Sequence, residues 1–289
     1  MDMPYPNPDK YRLIRALRPF SYSVALISCG LGVALASSQG HILRAVLVIV
    51  AGVLLQAASN LANDYADIYF WKQRTGHLAS SVIRQIRLNC ILALVLTLIS
   101  CAIGIWLTFQ VGWALMLIGV VGIVGGYCYT GEPVHYKRLG LGVPAVFIFT
   151  GVLMVTGAYY AVTGLWNNQV IYISVPVSLL SSALLFSNEI RDYLDDRRAA
   201  IRTLTVRVGF SQAKIMYACL LFAVYPVSFY LYWKGMINNP LYLLPSLLFL
   251  WQPVRHLSYG SGDIQLSRLP PLTGRFFLFF GIGFMLSVL

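Results

Sequence analysis

The chain has 289 residues, 58% of them hydrophobic and only 11% charged, with a mean hydropathy of +0.72. This composition excludes a soluble globular domain and points to a polytopic membrane protein. The net charge of +11 has the magnitude of a nucleic-acid binder, but its distribution follows membrane sidedness instead, so no nucleic-acid partner is expected.

Apolar runs near the ~20 residues that a bilayer of ~30 Å demands recur along the whole length. They predict nine all-α spans, at roughly 19–37, 42–69, 88–108, 111–130, 140–163, 168–192, 209–233, 238–257 and 272–289. Residues 1–9 are polar and Pro-rich, and the first apolar run leads directly into further membrane segments, so no cleavable signal peptide is expected. No stretch is left for a soluble domain, and 1–289 reads as one integral membrane domain. Turn-forming residues separate the spans at 37–40, 110–112, 164–168 and 235–240. Links this short make sequential helices antiparallel neighbours. On that topology Arg44 and Lys234 fall on one side, and the other nineteen Lys and Arg fall on the opposite side with the N-terminus. The positive-inside rule then places the N-terminus in the cytoplasm. All ten acidic residues share that side. Helices one to four and five to eight read as two parallel halves, followed by one extra helix. The five cysteines are scattered through apolar segments without C-x-x-C spacing, which argues against disulfide or zinc chemistry.

Six of the ten acidic residues lie in two clusters of similar frame. The first reads Asn60-Leu-Ala-Asn63-Asp64-Tyr65-Ala-Asp67, and the second Asn188-Glu189-Ile-Arg191-Asp192-Tyr193-Leu-Asp195-Asp196. In each, an Asn precedes the leading Asp by four residues and another Asp follows it by three, so on a helix the oxygens stack on one face. Each cluster closes a long apolar run, at the same end of the membrane. Carboxylates there are expensive to place and usually functional. Oxygen-only donors suit Mg²⁺, whose shell substrate phosphates complete. Salt-bridged helix ends, with Arg191, Arg197 and Arg198 as partners, are the structural alternative. A secondary transporter would also carry a weak internal repeat, although its polar residues belong near helix centres rather than at one end. Basic residues crowd the same side: Lys72, Arg74, Arg84 and Arg87 after the first cluster, Lys137 and Arg138 in the next loop, and Arg197, Arg198, Arg202 and Arg207 after the second.

These motifs resemble the paired aspartate-rich signatures of the intramembrane aromatic prenyltransferases, the UbiA superfamily. The first signature covers Gln56 to Asp67. The second is Asp192-x-x-x-Asp196 followed by Arg197-Arg198-Ala199-x-x-Ile201-Arg202-Thr203-Leu204. Arg18-Pro19 resembles the family's entry to its first helix, and Tyr129-Thr130-Gly131-x-Pro133 with Leu139-Gly140-x-Gly142 its loop after helix four. The resemblance implies nine helices around a central cavity, Mg²⁺, an isoprenyl diphosphate donor and an aromatic acceptor, within the lipid bilayer of a bacterial inner membrane. It implies that Asp64, Asp67, Asp192 and Asp196 act through metal. Arg18, Asn60, Lys72, Arg74, Lys137, Arg138, Asn188 and Arg202 are implied to bind substrate. Within the superfamily, the likeness is greatest to the enzymes that prenylate 1,4-dihydroxy-2-naphthoate in menaquinone biosynthesis; 4-hydroxybenzoate and homogentisate are the alternative rings. Val143 departs from that branch, which usually carries Glu or Asp there, and the segment after Asp67 lacks its Gly-x-Asp-Thr stretch.

Overall fold

The computed structural model describes residues 7–39, 41–131 and 133–289; residues 1–6, 40 and 132 lie outside them. Part of the polar N-terminal stretch, Gly40 of the first turn, Asp2 and Glu132 are therefore not placed. The described residues are helical and contain no strand. We label the long helices α1 (Tyr22–Leu35), α2 (Ile42–Asn63), α3 (His77–Val111), α4 (Ala114–Thr130), α5 (Gly142–Thr163), α6 (Asn168–Arg191), α7 (Phe210–Trp233), α8 (Leu247–His256) and α9 (Leu269–Val288). In lipid the backbone must satisfy its own polar groups, which is why these apolar runs are helical.

Among the described residues, seven helices are long and apolar enough to cross a membrane: Leu13–Leu35, which contains α1, then α2, α3, α5, α6, α7 and Ile264–Val288, which contains α9. The protein is an integral membrane protein. The other two expected spans form differently. The apolar part of α4 is shorter, Ala114–Tyr129, and the 238–257 run opens as a 3-10 helix, Pro240–Ser246, before α8 begins. Two boundaries also move. α3 starts at His77 rather than near 88, so Arg84 and Arg87 lie on a helix. The expected helix over 42–69 stops at Asn63.

α6 is the most enclosed span, packing against α7, α9 and the first half of α5. Its Val177, Leu180 and Leu184 share a core with Val24, Ile27 and Leu31 of α1, Tyr217 and Leu221 of α7, and Phe276, Phe277, Phe280 and Phe284 of α9. Large apolar side chains such as Leu94, Leu98 and Phe109 on α3 point outward, as lipid contact requires. α1 and α5 meet almost at backbone distance. A Cβ on Gly32 would sit 2.5 Å from the Val155 carbonyl oxygen, so only glycine allows this crossing. Within α5, Phe147–Leu153 is a π-helix. Before and through this turn α5 faces α6, and after it α5 faces α1. The Ser28 hydroxyl of α1 donates to the Thr150 carbonyl at 2.8 Å, which ties α1 to this turn.

Candidate active site

Both acidic motifs stand where a membrane helix stops. After α2 ends at Asn63, Asp64–Asp67 forms a 3-10 turn and Ile68–Lys72 a short helix. Residues three apart eclipse in a 3-10 turn, so Asp64 and Asp67 line one edge without a continuing α-helix. Asp64 is fully buried. Its Oδ1 accepts a 2.7 Å hydrogen bond from the Arg18 guanidinium, with Lys10 Nζ 3.8 Å away, and its Oδ2 has no partner among the described residues. Burial pushes the Asp64 carboxyl above the usual carboxylate range, despite Arg18 and Lys10 beside it.

Asp67 accepts from Lys10 Nζ at 2.7 Å and from the Tyr11 hydroxyl at 3.1 Å. Tyr11 is itself anchored: Trp71 Nε1 donates to its hydroxyl at 3.1 Å, and Asn89 Nδ2 to its carbonyl at 2.9 Å. The N-terminal segment is thus folded over the first acidic turn. Arg18 holds a left-handed backbone, φ 47°, directly before Pro19, a conformation that costs a non-glycine residue energy; from it the guanidinium reaches Asp64.

The second motif closes α6. Asp192 ends that helix and precedes the short helix Tyr193–Arg198. Arg191 grips Asp192 with both Nε (2.7 Å) and Nη2 (2.6 Å). Burial opposes ionisation of Asp192, but this two-pronged contact outweighs it and holds the carboxyl below the usual range. Asp195 is exposed, with Arg198 at 3.7 Å. Asp196 is buried, and burial pushes its carboxyl up to about 6, against the pull of Lys137 and with the push of Asp192.

The two turns lie within electrostatic reach of a shared cation, Lys10. Lys10, bonded to Asp67, is within electrostatic reach of Asp192. Tyr129, at the end of α4, lies in the field of Glu189, Asp196 and Arg18. Lys137 acts on Asp192, Asp196 and Glu189 together.

Of the residues expected at the site, Arg18 and Lys137 are brought to the carboxylates. Asn60 is turned elsewhere: its amide donates to the Leu17 carbonyl (2.8 Å) and the Ser21 hydroxyl (2.7 Å), bracing the entry to α1. Asn188 donates to the Leu184 carbonyl one turn back, at 3.0 Å. Lys72, Arg74, Arg138 and Arg202 are exposed. Arg74 lies over the Trp71 ring, while the Arg207 side chain ties the carbonyls of Arg138 and Arg202 together. Sequence reasoning missed Lys10 and Tyr11, which sit in a short Pro-flanked turn, Pro8–Tyr11, with no periodicity to mark it. It also gave Glu189 no role, although the residue lies within the second motif.

No three His, Cys, Asp or Glu side chains converge on one point among the described residues. A protein cage for a metal is therefore not built. Mg²⁺ seldom needs one, because one or two carboxylates plus substrate phosphates hold it. The bare, buried Oδ2 of Asp64 and the all-oxygen donor set fit that mode.

The sequence profile of the UbiA prenyltransferase family matches residues 25–266. The chain belongs to that family. It is 32% identical over 222 residues to the 1,4-dihydroxy-2-naphthoate octaprenyltransferase of Escherichia coli (strain K12), across 72% of each chain. It is 27% identical over 296 residues to UbiA prenyltransferase domain-containing protein 1 of Dictyostelium discoideum, across 96% of this chain and 88% of that relative. A UbiA homolog from Archaeoglobus fulgidus, solved with DMAPP and Mg²⁺ bound, superposes with a TM-score of 0.61 over 96% of this chain and 99% of that one, at 18% identity. The fold is shared with that UbiA homolog.

Proposed function

We propose that this UbiA-family protein transfers an isoprenyl group from an isoprenyl diphosphate to an aromatic acceptor in the presence of Mg²⁺. The observation that carries the reading is the pairing of two carboxylate turns under shared cations, with one buried oxygen of Asp64 left bare. Held by Asp64, Asp67, Asp192 and Asp196, Mg²⁺ would neutralise the charge of the departing diphosphate. Lys10, Arg18 and Lys137 add fixed positive charge at the same place, and Lys72, Arg74, Arg138 and Arg202 line its approach. The allylic cation left behind is attacked by the electron-rich ring, which forms a carbon–carbon bond and then sheds a proton or a carboxyl group. Apolar walls protect the cation from water. No side chain serves as a covalent nucleophile.

The acceptor we assign is 1,4-dihydroxy-2-naphthoate, attacked at its carboxyl-bearing carbon with loss of CO₂. The name of the E. coli relative supports this. We further read residues 1–289 as one domain of nine spans, two four-helix halves and a last helix around a central cavity. Both acidic turns and the N-terminus then face the cytoplasm of a bacterial inner membrane, as the nineteen-to-two distribution of basic residues favours. The test is turnover by purified protein with Mg²⁺ and geranyl diphosphate, offering 1,4-dihydroxy-2-naphthoate, 4-hydroxybenzoate and homogentisate at equal concentration. The expected product is a prenylated naphthol with one CO₂ released per transfer. A dominant 4-hydroxybenzoate product overturns the acceptor, and no transfer to any ring overturns the activity. A cysteine placed at Arg74 should react from the cytoplasm and one at Asn239 from outside; the reverse pattern overturns the orientation.

A further inference from the structure

Among the described residues, Glu189 is the one carboxylate that lies inside a membrane helix rather than beyond it. Only 3% of it is exposed. One oxygen is used: Oε2 accepts from the Thr205 backbone N–H at 3.1 Å and lies 3.4 Å from its hydroxyl. This contact caps the short helix Leu204–Val208 and explains half of the side chain. The other oxygen, Oε1, has no hydrogen-bond partner, and Glu189 makes no ion pair among the described residues. A buried carboxylate oxygen without a partner is costly, and capping Thr205 does not require it.

The surroundings of Oε1 have a definite shape. It points to the first residue of α5, Gly142. A Cβ at Gly142 would lie 3.3 Å from Oε1, from the Tyr129 ring and from a Leu185 methyl. A methyl would already be crowded there, so glycine leaves a slot no larger than a single heavy atom, with an aromatic edge, an aliphatic wall and a hydrogen-bond acceptor. Asp196 and Lys137 act on Glu189 electrostatically. The adjacent Val143 side chain is packed into the core and offers no polar group to it.

We propose that Oε1 of Glu189 accepts a hydrogen bond from a ring hydroxyl of the aromatic acceptor, and so selects for hydroxyarenes and sets the ring's orientation. The proposal rests on the prenyltransferase reading above. Glu189→Gln is a demanding test because it is isosteric. Its amide oxygen still accepts from the Thr205 N–H, which needs an acceptor, while the free position changes from an acceptor to a donor. Equilibrium binding is measured without Mg²⁺ or donor, using 1,4-dihydroxy-2-naphthoate and 2-naphthoate, which lacks both hydroxyls; geranyl diphosphate is titrated separately with Mg²⁺. The variant should bind the dihydroxy ring about tenfold more weakly, as expected when a buried hydrogen-bond acceptor is lost. It should bind 2-naphthoate and geranyl diphosphate as the wild type does. Unchanged affinity for the dihydroxy ring, or an equal loss for all three ligands, overturns the proposal. Gly142→Ala provides a second route should Glu189→Gln not fold. It places a methyl in the slot and leaves Glu189 and Thr205 intact, so wild-type affinity for the dihydroxy ring in this variant also overturns the proposal. Wild-type protein that transfers no prenyl group to any ring defeats the parent reading instead. Wild-type protein that is active, with both variants indistinguishable from it, defeats this inference alone.

Discussion

The two acidic turns look alike in sequence and are held in opposite ways. Asp64 and Asp67 take their cations from far along the chain: Lys10 lies 57 residues before Asp67, and Arg18 lies 46 before Asp64. Asp192 takes its cation from the adjacent residue, Arg191, and Asp195 from Arg198 three residues on. The first turn is therefore a tertiary object, assembled only when the N-terminal segment folds over it. The second is gripped locally at Asp192 and Asp195, and only Lys137 and Lys10 act on it from far along the chain, without a direct contact to Asp192. The same spacing of Asn and Asp thus specifies where a carboxylate sits, but not what neutralises it.

The largest effect should come where the turns behave alike. If they work as one unit, Asp64→Asn and Asp192→Asn each lower prenyl-transfer turnover by roughly a hundredfold or more. The double variant should be little worse than either single one, because members of a unit are not additive. Multiplied losses would separate the turns into independent sites. Next comes the distant clamp. Lys10→Ala removes cations from Asp67 and from near Asp64, and should raise KM for the isoprenyl diphosphate about tenfold, the size of one charge-assisted contact. Unchanged donor kinetics would show that the N-terminal segment is only structural.

The pH dependence of metal-free protein separates the turns by sign. The folded state holds the Asp196 proton more tightly than the unfolded chain does, since its carboxyl is raised from 3.8 to about 6. Its stabilising contribution is full below the ordinary carboxylate range and is lost as pH rises through about 6. Asp192, held below the usual range by Arg191, contributes above that range and loses its contribution as pH falls. Accordingly, Asp196→Asn should raise the melting temperature at pH 7, and Asp192→Asn should lower it. Equal signs would refute the contrast. The smallest effect belongs to Arg198→Ala. That pair is exposed at both ends, so Tm should stay within about 1 °C, whereas a larger shift would mean that the second turn is less local than it looks.

The carboxylates were legible because a bilayer makes charge rare, so Asp64, Asp67, Asp192 and Asp196 stand out against apolar runs. Family membership followed from the same residues. The helix ends were less legible. α2 stops at Asn63 and α3 starts at His77, since hydropathy reports lipid contact and not where hydrogen bonding changes from one pitch to another. Lys10 and Tyr11 were invisible because their partners are tertiary, and local pattern carries no record of a contact to Asp67. Asn60 and Asn188 were read as substrate-binding from their place in the two signatures. In the structure each amide donates to a backbone carbonyl. Glu189 shows the reverse: it was plain in the motif, and its importance depends on burial, which no letter of the sequence records.

The π-turn at Phe147–Leu153 bears on how this chain is lined up with others. A π-turn holds one more residue than the α-turn it replaces, and one residue of an α-helix corresponds to about 100° of rotation. Everything after Leu153 is therefore rephased. Val155 and Ala158 come round to meet Gly32 of α1, while the residues before them keep facing α6. A single-residue gap in the middle of a membrane span is usually treated as an alignment error. In this span it marks the place where one helix changes neighbours. Against a chain whose corresponding helix is α throughout, an ungapped alignment would pair lipid-facing positions of one with buried positions of the other from Met154 onward.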